Sequence, residues 1–179
     1  MNYQSVLDFW FKQTPKENWF SKNADFDAQI RQQFFATWQA AAAGELAHWR
    51  HNLHGRLAEI IVLDQFSRNL FRDSVQAFAQ DGMALVLAQE AIAQADFAKM
   101  ELSERHFMLM PLMHSESRLI HSQAVELFKK YTNDYALDFE LQHQAIIERF
   151  GRYPHRNVVL KRTSTSEEIE FLKQDGSAF

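Results

Sequence analysis

Apolar residues recur along most of the chain at spacings of three and four, and Ala, Leu, Gln and Glu fill the intervals, which is the period of packed helices and not of strands. The pattern predicts a helix over residues 3–12, closed by Thr14 and Pro15. A second begins at Asp25 or Asp27 as N-cap and runs through "AQIRQQFFATWQAAAA" to Gly44, where a left-handed C-cap is wanted. A short helical turn over 45–52 leads into a third long helix, "GRLAEIIVLDQFSRNLF". Ser74 caps a fourth that runs to about Gln94, and "ADFAKMEL" is a link. Ser103 caps a helix containing Pro111, another runs from about Glu116 to Tyr131, and the last long one runs from about Tyr135 to Phe150 and ends at Gly151. "STSEE" then sets Thr165 and Glu168 as a capping box for a final helix that stops before Gly176. About eight helices joined by short loops predict an all-α fold of antiparallel pairs, a bundle or a stacked-pair solenoid, with residues 1–179 as one domain.

The third helix departs from simple amphipathicity. Leu57, Ile60, Ile61, Val62, Leu63, Phe66, Leu70 and Phe71 spread nearly all the way round its wheel, the mark of a central, buried helix. Asp64, Arg68 and Arg72 follow one another at i, i+4 and i+8, and they fall inside its most apolar arc. A buried charge without a partner costs several kcal/mol, so each of the three needs one. Asp64 and Arg68 can satisfy each other as a structural pair. Arg72 is then left over to hold an anion.

Composition narrows the classes. The 179 residues, 46% hydrophobic, suffice for one sizeable core, and no run approaches the roughly 18 apolar residues of a membrane helix. The N-terminal stretch lacks a basic segment followed by a long apolar one, so no signal peptide is expected and the cytoplasm is the expected location. With no cysteine there is no disulfide, thiol nucleophile or cysteine-ligated metal. A formal charge of −4 and a pI near 6.0 argue against nucleic acid as the partner. One region runs against that balance. Between residues 149 and 166 there is no acid, yet Arg149, Arg152, Arg156, Lys161 and Arg162 all fall there, with His155 beside Pro154. "RFGRYPHRN" is either the clamp of an anion pocket or the brace of the final helices.

Histidines supply the remaining chemistry. "HWRHNLH" places His48, His51 and His54 three apart, a spacing open to chelation but also usual at a helix C-terminus. "ELAH" and "ELQH" match the Glu-x-x-His spacing of di-iron bundles at a frequency that chance explains. No metal site is assigned from either, and no cofactor is identified. In "ERHFMLMPLMHSE", His106 and His114 lie eight residues apart, about 12 Å along a helix, too far to share an ion yet able to face one groove. Pro111 should kink that helix, and a kink beside His114 and Glu116 could open a pocket; the alternative is a Met-rich packing helix with hydrogen-bonded histidines. There is no phosphate-cradling glycine loop, nucleophile elbow or H-E-x-x-H motif.

Five stretches together, "VLDFWF", "LDQFSRNLFRDS", "ERHFMLMPLMHSE", "RFGRYPHRN" and "STSEEIEFL", resemble the bacterial family called domain of unknown function 924. The resemblance implies packed antiparallel helix pairs similar to tetratricopeptide repeats, and it implies no activity. That family commonly has proline where this chain has Ser67, and a proline there would start a new element and make Asp64–Arg68 a corner contact. The leading expectation is a binding module in which Asp64, Arg68, Arg72, His106, His114, Arg152, His155 and Arg156 line a groove for a small anionic molecule or peptide carboxylate. Two alternatives stand beside it. One is a hydrolase or transferase with His114 or His155 as general base and arginines at an oxyanion; the other is a scaffold for a protein partner.

Overall fold

The computed structural model describes residues 2–177, and all regular structure among them is helical. Helix α1 (Tyr3–Asp8) starts at Asn2, whose side chain accepts from the Gln4 amide, and it widens into a π turn, Phe9–Gln13. Helix α2 (Ala24–Ala42) is capped by Asn23. Asp25 and Asp27, the expected caps, instead occupy its first turn, where carboxylates meet the positive end of the helix. A 3-10 turn, Ala47–His51, leads to α3 (Leu53–Ile61). That helix passes through a second π turn, Val62–Phe66, straight into α4 (Ser67–Leu70). The chain turns no corner at Ser67: its backbone stays right-handed helical at φ −57° and ψ −43°, and its hydroxyl donates back to the Leu63 carbonyl and accepts from Trp38 Nε1 at 2.8 Å.

The expected fourth helix begins later than Ser74. That side chain caps only a 3-10 turn, Val75–Ala77, and α5 (Asp81–Ile92) follows. Likewise α6 (Leu102–Met113) is capped by Glu101, not Ser103, through a reciprocal box with Glu104, and it carries Pro111 in its last turn. Ser117 and Asn133 cap α7 (Arg118–Tyr131) and α8 (Asp134–Phe150), and Gly151, at φ 69°, ends α8 in the left-handed conformation a β-carbon disfavours. The Thr165–Glu168 capping box opens α9 (Ser166–Phe171).

Packing explains the all-round hydrophobicity of α3. It meets α1 on one side and α5 and α6 on others, while α2 lies along α4 and the π turn, so Leu57, Ile60, Ile61, Val62 and Leu63 are fully buried. Each such side chain contributes roughly 1.5–3 kcal/mol of burial. An aromatic cluster locks the N-terminal helices onto this axis: Phe9, Phe34 and Phe66 sit with ring centroids 5.0 to 6.2 Å apart, and Trp10 meets Phe107 edge-on at 5.3 Å. Toward the C-terminus, consecutive helices pack α5 on α6, α6 on α7 and α7 on α8, whereas α1 packs chiefly on α3. A smaller cluster, Ile146, Ile147 and Tyr153 with Phe150 and Phe171, seats the end of α8 against α9. Among the described residues no helix is long and apolar enough to cross a membrane.

Candidate functional site

A cavity of about 490 Å³ opens between the π turn of α3, the C-terminal half of α6, α8 and the loop after Gly151. Its walls are largely aromatic, with Trp19, Phe20, Phe78, Tyr135 and Phe139 among them, and its polar face carries Arg68, His114 and Arg156. Six of the eight residues singled out from the sequence line it: Arg68, Arg72, His106, His114, His155 and Arg156.

Asp64 lies behind this wall in the π turn, fully buried, and each of its acceptors is supplied. Its Oδ1 receives His114 Nδ1 at 2.7 Å and stands 3.2 Å from Arg68 Nη1; its Oδ2 receives the Gln65 amide; its backbone carbonyl receives Arg68 Nη1 at 2.9 Å. Burial alone would raise the Asp64 carboxyl, but Arg68, His114 and Gln65 hold it well below the usual carboxylate range. Asp64 is thus an ionised acceptor, and His114 carries its proton on Nδ1. No described residue bonds Nε2, the atom on the opposite edge of a ring that lines the cavity. Burial, and then the positive charge of Arg68, lower the His114 pKa in spite of Asp64, so the ring is neutral near pH 7.

A second carboxylate, Asp81 in the first turn of α5, ties the two arginine sets together. Arg68 grips it in bidentate fashion at 3.0 and 3.2 Å, and Arg156 reaches it at 3.1 Å from a loop 75 residues further on. The Arg156 guanidinium is sandwiched between the rings of Phe78 and Tyr153, 4.6 Å from each centroid, and Arg68 lies 5.6 Å from the Phe78 centroid. Hydrogen bonds therefore run unbroken from His114 through Asp64, Arg68 and Asp81 to Arg156.

Two expected site residues have other work. Arg72 lines the cavity but is not left over: Asp27 holds it through two bonds, one of 2.9 Å, and the Ser21 carbonyl takes a third at 3.3 Å. Arg152 does not line the cavity, because Glu168 of α9 takes it at 2.6 and 2.8 Å and the Thr163 carbonyl at 2.9 Å. The basic loop is mainly a brace: Arg149 pairs with Glu167, and Arg162 with Glu116, which also accepts the Tyr153 amide. Both carboxylate oxygens of Glu116 are thereby engaged.

Three other histidines ring the cavity and are held neutral. Burial depresses His106 and His155 to about 4 and His143 to about 3. Deeper in, His121 and Glu140 form a buried pair at 2.7 Å, and burial raises the Glu140 carboxyl despite its partner. His48, His51 and His54 do not converge; His51 bonds the His48 carbonyl and His54 meets Glu104 at 3.3 Å. Among the described residues no three His, Asp or Glu side chains gather as metal ligands.

Asp81, Asp27 and the aromatic walls were not read from the sequence. Asp81 and Asp27 look like ordinary first-turn acids, and only the arginines without a nearby partner signalled that such acids had to exist.

The chain is similar over 96% of its length, at 35% identity and a TM-score of 0.90, to a solved structure of a protein of unknown function from Agrobacterium tumefaciens, of which it covers 96%. No curated protein matches it. The family model for a bacterial protein of unknown function (DUF924) matches residues 6–176, and the chain belongs to that family.

Proposed function

We propose that the protein is an enzyme that uses His114 as a general base on a small molecule held in the cavity, with hydrolysis by an activated water as the reaction. One observation carries this reading: a buried aspartate at 2.7 Å orients a histidine through Nδ1, and the ring of that histidine lines a cavity with no described residue bonded to its other nitrogen. His114 Nε2 takes a proton from water, the hydroxide attacks the substrate, and the proton passes on to the leaving group. Arg68, next to the histidine on the same Asp64 oxygen, supplies N–H donors where negative charge develops. The chain contains no cysteine, so water is the simplest nucleophile available.

The test is turnover of a panel of esters, amides and phosphoesters by the wild type and His114→Asn. A hydrolysed substrate should lose at least about 10²-fold in kcat with His114→Asn, and the acid limb of its pH profile should fall below the ordinary histidine value of about 6.5, since His114 is depressed. Activity that survives His114→Asn removes the proposal.

A second reading, a binding module for a small anion, is favoured by Arg156, whose Nε is buried without a hydrogen-bond partner. Thermal melts with phosphates, carboxylates and C-terminal peptides would then show a shift that Arg156→Ala abolishes.

A further inference from the structure

Among the described residues the charges around the cavity cancel. Arg68 and Arg156 are matched by Asp64 and Asp81, with which they share hydrogen bonds or close contacts. Arg72 is matched by Asp27. At the exposed rim one cation, Lys22, and one acid, Asp73, remain. The histidines of the wall are neutral near pH 7 because burial holds them there. A ligand bearing a net charge would therefore enter an apolar, largely aromatic space with no counter-charge to spare, at the cost of shedding its hydration. Yet the polar face is not inert, since it offers arginine N–H donors beside the Nε2 acceptor of His114.

We infer that the substrate is an uncharged carboxylic ester or amide with an aromatic or similarly flat apolar body, whose carbonyl oxygen accepts from the arginine face while its body lies against Trp19, Phe20 and Phe78. This rests on the general-base reading and names its substrate class. In the reaction, the oxygen of the water that His114 deprotonates bonds to the carbonyl carbon. The bond from that carbon to the leaving oxygen or nitrogen breaks, and His114 returns the proton to the departing alkoxide or amine. The products are a carboxylic acid, which ionises to the carboxylate by releasing its proton to solvent (or to the amine product), and an alcohol or amine, and no oxidant or metal is consumed. The carboxylate product is the charged species the cavity holds poorly, which favours its release.

Calorimetric titration with three probes of one shape tests the charge argument without turnover: hydrocinnamamide, hydrocinnamate and phenylpropylammonium. The neutral amide should bind about tenfold more tightly than either ion. Asp81→Asn, which leaves one cation unmatched, should improve hydrocinnamate by about tenfold, and Asp27→Asn should do the same through Arg72 if the first variant fails to fold. Hydrocinnamate binding to the wild type as well as the amide does, or no binding by any probe at millimolar concentration, overturns the inference. Methyl hydrocinnamate separates the two readings. Its hydrolysis, lost in His114→Asn beside equal binding of amide and carboxylate, keeps the base and overturns the substrate class. Preference for the amide with no ester turnover keeps the ligand class and removes the base.

Discussion

His114 donates its Nδ1 proton to Oδ1 of Asp64 across 2.7 Å, and the same oxygen stands 3.2 Å from Arg68 Nη1. A single carboxylate oxygen thereby fixes the tautomer of the histidine and the place of the cation beside it. Asp64→Asn keeps the shape and removes the charge that holds both. Turnover should drop by roughly 10³-fold or more as the productive tautomer is lost, and stability should fall by about 3 kcal/mol as Arg68 loses part of its compensation. Steady-state kinetics and urea unfolding of the one variant check both numbers. Turnover within tenfold of wild type would sink the role given to Asp64.

The histidine ring predicts how the fold responds to acid. His106, His143 and His155 take a proton below about 6.5 in the unfolded chain but resist it in the folded protein until about 4, 3 and 4. Between those values the unfolded state binds more protons, so stability falls as pH falls, and it is full above the unfolded value. Each histidine contributes a slope of up to about 1.4 kcal/mol per pH unit in that window. Asp64, depressed as a carboxylate, adds a loss that begins as pH falls into the ordinary carboxylate range, where the unfolded chain takes the proton first. Urea midpoints measured from neutrality down to about pH 4 should decline steadily, and His106→Gln should flatten the decline. A midpoint independent of pH across this window would mean that these rings are not held neutral.

Part of this site was legible in sequence. Asp64 and Arg68 lie four apart on the most apolar arc of a helix, so their pairing followed from burial cost alone. The partners of Arg72 and Arg156 lie 45 and 75 residues away in helix first turns, where an acid is locally explained by the dipole and advertises nothing else. The acid-free stretch from Arg149 looked like a reservoir of cations because its acids lie outside it, Glu167 and Glu168 just past its end and Glu116 well upstream, before α7. The π turn that carries Asp64 left no mark either, since a shift from i+4 to i+5 hydrogen bonding costs one residue of register and changes no residue type.

Gly55 sits in the first turn of α3, where a glycine is ordinarily a liability of about 0.5–1 kcal/mol against alanine. Here the usual sign reverses. A β-carbon on Gly55 would lie 1.9 Å from the Trp49 carbonyl oxygen, which is backbone and has no rotamer to retreat into. Trp49 is itself buried in the core, so the 3-10 turn cannot move outward freely. Gly55→Ala should therefore destabilise by about 2 kcal/mol or more, read from the urea midpoint. A neutral or stabilising result would show that the turn yields.

Arg152 and Arg156, four residues apart in one basic motif, should part company on mutation. Arg152 spans from the end of α8 to Glu168, the buried member of the α9 capping box, and touches nothing in the cavity. Its removal strands a buried carboxylate that Asn157 and the Thr165 amide only partly satisfy. Arg152→Ala should lower the urea midpoint and increase hydrogen exchange in α9 while leaving probe binding unchanged. Arg156 faces the cavity and shares Asp81 with Arg68, so Arg156→Ala should weaken binding of hydrocinnamamide as well as lower stability. Equal effects of the two substitutions on binding would mean that the loop acts as one brace and that the arginine face of the cavity has no recognition role.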